Sequence, residues 1–109
     1  MCIEILTFEG CPNSAIARER VRDAIEAEGV LAIVRQVEVE TPEEAQRLRF
    51  LGSPTIRVDG DDVEPGADER IAYGFMCRTY SIGESTSGAP TVEMIRAAIR
   101  AHGVSASVD

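Results

Sequence analysis

The first forty residues constrain the fold more than any other part of the chain. "CIEILTF", residues 2 to 8, alternates and is rich in Ile, Leu and Phe, the pattern of a strand. "PNSAIARERVRDAIEAEG" follows at once. Pro12 suits a first helical turn; Ala17, Val21, Ala24 and Ile25 recur on one helical face; Gly29 stands where a C-cap belongs. "VLAIVRQVEV", 30 to 39, reads as a second strand, with Leu31, Ile33, Val37 and Val39 on one parity and that face expected to be buried. Strand, helix and strand in that order make a right-handed crossover, which sets the two strands parallel in one sheet.

The remainder must build on that sheet. "TPEEAQRLRFLG" carries a capping box, with Thr41 as N-cap, Glu44 three residues later, Pro42 at the first helical position and Gly52 closing the helix. "SPTIRVDG" is a short strand ending in an Asp-Gly turn. Residues 60 to 72 are polar and turn-rich and read as a loop. "YGFMCRTY", 73 to 80, alternates loosely and is expected to return antiparallel to the strand that starts at Pro54. "SIGESTSGAP" has the composition of a mobile loop. In the last helix Val92, Ile95, Ala98 and Ile99 line one side and Gly103 stops it, leaving a frayed tail, 104 to 109. The expectation is one α/β domain, 1 to 103. It has a mixed four-stranded sheet with helices on its faces, in the order β-α-β-α-β-β-α; 109 residues suffice for a single core.

Charge and cysteine usage narrow the function classes. Nineteen acidic against 11 basic residues give a net charge of −8, the wrong sign for nucleic acid and for anionic membrane surfaces. No apolar run approaches the roughly 18 residues of a membrane span, and "MCIEILTFEG" lacks the parts of a signal peptide. A cytoplasmic, reducing location is expected. Three cysteines, at 2, 11 and 77, do not form a disulfide framework. Cys2 reads as core or terminus. No zinc-like Cys-His spacing and no phosphate loop occur, so no metal and no cofactor is expected. "DGDD", 59 to 62, lacks calcium-loop spacing. His102 suits a helix C-terminus better than catalysis.

Cys11 is the chemical feature. It falls where the first strand ends and the first helix begins, the edge of an open α/β sheet where ligands collect. Unpaired N–H groups and the helix dipole there favour thiolate, the reactive form of the side chain. Gly10 allows a sharp turn, Pro12 supplies a helical φ, Ser14 is placed to aim its hydroxyl at the sulfur, and Asn13 to shape the turn or touch a substrate.

Cys-Pro-x-Ser after the first strand, with Ser53-Pro54-Thr55 opening the third, resembles a thioredoxin-like protein over roughly residues 2 to 102. The resemblance implies a three-layer α/β/α sandwich. It also implies a cis Ser53–Pro54 peptide whose turn packs against Cys11 and presents backbone groups to an extended substrate or to glutathione. Thioredoxins carry a second cysteine where Ser14 stands, so the motif alone is monothiol. The basic residue that usually precedes a glutaredoxin cysteine is replaced by Phe8, Glu9 and Gly10. Cys77 is expected near the Cys11 edge as a resolving thiol, with Arg78 beside it to support a thiolate or bind an anionic group. "CPNS", "GSPTIRVDGDDVEP" and "CRTY" together also resemble small stand-alone thioredoxin-like proteins, some labelled alkylmercury lyase. Mercury chemistry needs two thiols, here Cys11 and Cys77, and an acid, with Glu9, Asp59, Asp61 and Asp62 as candidates.

Three functions follow. The first is a thiol-disulfide oxidoreductase acting on a protein thiol or disulfide or on glutathione. It uses Cys11, Cys77 and Ser14 for chemistry and Pro12, Asn13, Ser53, Pro54, Thr55 and Arg78 for the substrate. The second is a soft-metal or organomercurial detoxification protein using the same two sulfurs. The third is a thioredoxin-like interaction module without turnover.

Overall fold

The structure, a computed structural model, describes residues 1–82 and 85–107, the last five by backbone alone. Six strands, three α-helices and one 3-10 turn follow one another along it. They are β1 (Cys2–Thr7), α1 (Ser14–Glu28), β2 (Ile33–Glu38), α2 (Pro42–Arg47), β3 (Thr55–Val58), β4 (Asp61–Asp62), the turn Ala67–Glu69, β5 (Tyr80–Ile82), β6 (Ser85–Ser87) and α3 (Val92–Ser107). The main sheet has the order β2-β1-β3-β4. β1 and β2 are parallel, as the crossover requires, and β3 runs antiparallel to β1 with Leu6 opposite Thr55 and Ile3 opposite Val58.

Strand alternation sorts the core onto two faces. Ile3 and Ile5 of β1 and Ile56 and Val58 of β3 pack with Ala17, Val21 and Ala24 of α1 and Ile95 and Ile99 of α3. Leu6, of opposite parity, packs on the other face with Val39, Phe50 and Ala45 of α2. The sheet is therefore mixed and carries helices on both sides. Each fully buried Ile or Val contributes roughly 1.5–3 kcal/mol relative to exposure. Two of the start and end signals, Gly29 and the Thr41 capping box, act locally as read. Gly29 adopts the left-handed C-cap with its N–H on Ile25 and Glu26. Thr41 accepts from the Glu44 amide, while the Glu44 carboxylate reaches back to the Glu40 amide.

Several expectations are overturned. α1 begins at Ser14, because Pro12 and Asn13 form the turn before it. α2 stops at Arg47, not at Gly52; Arg49 takes φ 54° and Phe50 folds back into the core with its N–H on Ala45. β2 is an edge strand, so the parity expected to be buried is mostly in solvent: Leu31 is 95% and Ile33 68% exposed, and only Val39 is buried. The fourth strand of the sheet is β4, reached straight from β3 through Asp59 and Gly60, both at positive φ. It lies in the stretch expected to be a loop. Residues 73 to 79 form no strand; Cys77 makes one isolated parallel bridge to Ser53. The expected loop 81 to 90 contains most of the β5–β6 hairpin, with Gly83 and Glu84 outside the described residues. α3 passes through Gly103 to Ser107, so Gly103 does not stop it.

Candidate functional site

Register places the motif residues at one end of the sheet. β1 points its C-terminal end toward Cys11, and β3 starts opposite that end, so the Ser53–Pro54 turn lies there too. Cys77, bridged to Ser53, joins them. The Phe8 and Phe75 rings meet edge to face at 6.0 Å, linking the Cys11 loop to the Cys77 segment.

Cys11 sits in a tight local frame. Gly10 holds φ 87°, and the Cys11 N–H donates to Phe8 O at 3.2 Å. The Cys11 carbonyl accepts from both the Ser14 amide and the Ser14 hydroxyl, the latter at 3.2 Å. Ser14 therefore locks the turn on the Cys11 carbonyl, where its spacing had suggested a bond to the sulfur. Cys11 is 8% exposed. Pro12 is exposed, and Asn13 is half-buried against Gly88. Cys2, Cys11 and Cys77 are all free thiols, and Cys77 is exposed.

The Ser53–Pro54 peptide is cis, the geometry the resemblance implies. Its surroundings differ from expectation. The Ser53 N–H donates to Met76 O at 2.9 Å, and the Ser53 carbonyl accepts from the Arg78 N–H at 3.0 Å. The backbone groups expected to meet a substrate are therefore taken by the chain's own residues 76 to 78. The Ser53 side chain is wholly buried, and Thr55 donates its hydroxyl to Gly52 O. Gly52 is required there: at φ +119°, an added Cβ would stand 3.0 Å from both Arg78 Cβ and Met76 O.

Arg78 is likewise turned inward. Its side chain is fully buried. It grips Asp62 through two parallel bonds of 2.8 and 2.9 Å, donates to Glu64 and Thr55 at 3.0 Å, and lies 4.4 Å from the Tyr80 ring centre. Burial opposes its charge, but Asp62, Tyr80 and Glu64 together outweigh burial and hold the guanidinium above its ordinary value. Tyr80 completes the wall by donating its hydroxyl to the Pro54 carbonyl. Burial pushes that phenol well up, so it stays a donor across physiological pH. Arg78 thus fastens the Cys77 segment to β3 and β4, a positioning role.

The acids separate in the same way. Asp59 and Asp61 lie at the Val58 end of β3, opposite Cys11; Asp59 accepts from the Cys2 amide, and both carboxylates face His102. Asp62 is committed to Arg78. Of the four acids considered for mercury chemistry, Glu9 alone stands beside Cys11 in the chain.

A groove of about 520 Å³ opens at this same end, between the Phe8–Glu9 turn, residues 38 to 40 and Phe75. Phe8, Phe75, Glu38 and Glu40 carried no motif and were missed; only the position of Phe8 beside the strand end, and of Phe75 two residues before Cys77, could have signalled them. A scan against protein-family models and searches of curated proteins and of solved structures found no match. What the fold and site define is a mixed α/β protein with a cysteine at the strand-to-helix turn.

Proposed function

We propose that the chain is a thiol-disulfide oxidoreductase with a thioredoxin-like arrangement and Cys11 as its nucleophile. One observation carries this reading: Cys11 stands at the C-terminal end of β1, just before α1, at the sheet end that also holds the Pro54 turn and a second thiol. The Cys11 thiolate attacks one sulfur of a substrate disulfide. That S–S bond breaks, one substrate thiolate leaves, and a mixed disulfide forms on Cys11. The Cys77 thiolate then attacks the Cys11 sulfur and displaces the second substrate thiolate. Two electrons pass from the protein thiols to the substrate, and the protons of Cys11 and Cys77 end on the two released thiols. A small dithiol returns the protein to its starting state by the reverse exchange.

The test is intact-mass spectrometry after exposure to bis(2-hydroxyethyl) disulfide. Wild type should end as an internal disulfide, and Cys77→Ser should accumulate the adduct on Cys11. A Cys11→Ser protein that still reduces the disulfide at the wild-type rate would overturn the reading.

A further inference from the structure

We propose that the groove beside Cys11 selects substrates carrying a positive charge close to the reacting sulfur; the proposal deepens the oxidoreductase reading and rests on it. The floor of the groove is apolar. It is made by buried Val39 and by Phe8 and Phe75, the latter 43% exposed although aromatic. The rim is acidic. Glu9, Glu38 and Glu40 all line the groove and all face solvent. Glu4 and Glu44, by contrast, each have an arginine partner, Arg35 and Arg47. Among the described residues, Glu9, Glu38 and Glu40 have no ion pair.

Three unpaired carboxylates around an aromatic floor set the chemistry of the occupant. A cation close to an aromatic face and to carboxylates is stabilised by both. The occupant is therefore an amine or guanidinium on an apolar stem, as on a basic peptide or an aminoalkyl disulfide. An anionic substrate such as a carboxylate-bearing thiol would be repelled by the same rim. Position ties the groove to the chemistry. Phe8 O accepts the Cys11 amide proton, and Phe75 precedes Cys77 by two residues.

The experiment uses three disulfides with the same two-carbon spacer, ending in an amine, a hydroxyl or a carboxylate. The rate of adduct formation at Cys11 is measured in a Cys2→Ser, Cys77→Ser background. Each rate is divided by the rate of the same disulfide with N-acetylcysteine amide, which removes differences in leaving group. The normalised order should be amine over hydroxyl over carboxylate, with about tenfold between the extremes at low salt and a narrower spread at high salt. Combining Glu9→Gln, Glu38→Gln and Glu40→Gln should collapse that spread. Equal normalised rates, or a spread unchanged by the three glutamines, overturn the proposal while Cys11 keeps its role. If Cys11 reacts with none of the three, the oxidoreductase reading fails instead. The groove is then judged by binding alone, with bis(2-aminoethyl) disulfide titrated into Cys11→Ser and the amide NMR signals of Glu9, Glu38, Glu40 and Phe75 followed. Saturable shifts with the amine and none with the carboxylate support it; no shift, or equal shifts, overturns it.

Discussion

Replacing Arg78 by Met tests the account of how the Cys77 segment is held. The guanidinium is fully buried and makes two bonds to Asp62, one to Glu64 and one to Thr55. Glu64 keeps a second partner when Arg78 is lost, because Arg70 bonds it at 2.7 Å. Asp62, whose side chain is 11% exposed, has no other cation among the described residues. The cost is therefore mainly that of one largely buried carboxylate left unpaired, about 3–5 kcal/mol. A domain of this size has a total stability of roughly 5–15 kcal/mol, so the variant should be marginal. Urea unfolding followed by circular dichroism should show the midpoint falling by roughly 1–3 M at an ordinary slope. Adding Asp62→Met removes the stranded charge and should recover much of the loss. Hydrogen exchange gives the local readout: the Ser53 and Arg78 amides should lose protection before the β1 amides do. A single-variant loss below about 1 kcal/mol, or a double variant no better than the single, would refute the reasoning.

The other expectations concern sites of different kinds. Gly52→Ala places a Cβ against Arg78 and Met76 at φ +119° and should cost about 1–3 kcal/mol in urea, with faster alkylation of Cys77 as the segment loosens. Leu31→Lys, despite its place in an apolar run, should leave stability unchanged within about 0.5 kcal/mol, because Leu31 is 95% exposed. Glu28 gives a pH signature. The hydrogen bond from Arg96 outweighs burial and, with Arg100, holds its carboxyl below the ordinary 4.5. The folded chain thus binds that proton less readily than the unfolded chain. The stabilisation is present above pH 4.5 and lost as pH falls through the lowered value. Glu28→Gln should therefore unfold more easily than wild type at neutral pH, with the gap closing in acid when thermal midpoints are compared across pH.

Legibility in the sequence followed the range of the interactions. β1, α1 and the Asp-Gly turn are set by alternation, helical spacing and backbone preferences within a few residues, and they lie close to where those patterns put them. The exposure of β2 is a property of sheet order: the same Leu31-Ile33 pattern would be buried had another strand covered that edge. β4 is two aspartates, too short and too polar for any periodicity; it exists because Arg57 and Val58 have partners across the turn. Arg78 looked available for an anion because its partners lie 14 to 23 residues away. A long basic side chain beside a cysteine signals nothing about which carboxylate it will meet. The placement of Cys11 came through because strand-to-helix turns are local. Ser14 was misread because a hydroxyl three residues on has a carbonyl in reach as well as a sulfur.

The hold of residues 76 and 78 on Ser53 divides labour along a short stretch of chain. Anchorage falls to the inward-facing guanidinium and to two main-chain bonds, none of which depends on the identity of the residues at the tip. Met76, which holds Ser53 through its main-chain carbonyl, is thereby free to be exchanged for another side chain, while Phe75 keeps its ring on Phe8. This corner of the molecule is built so that specificity can drift while the scaffold stays put.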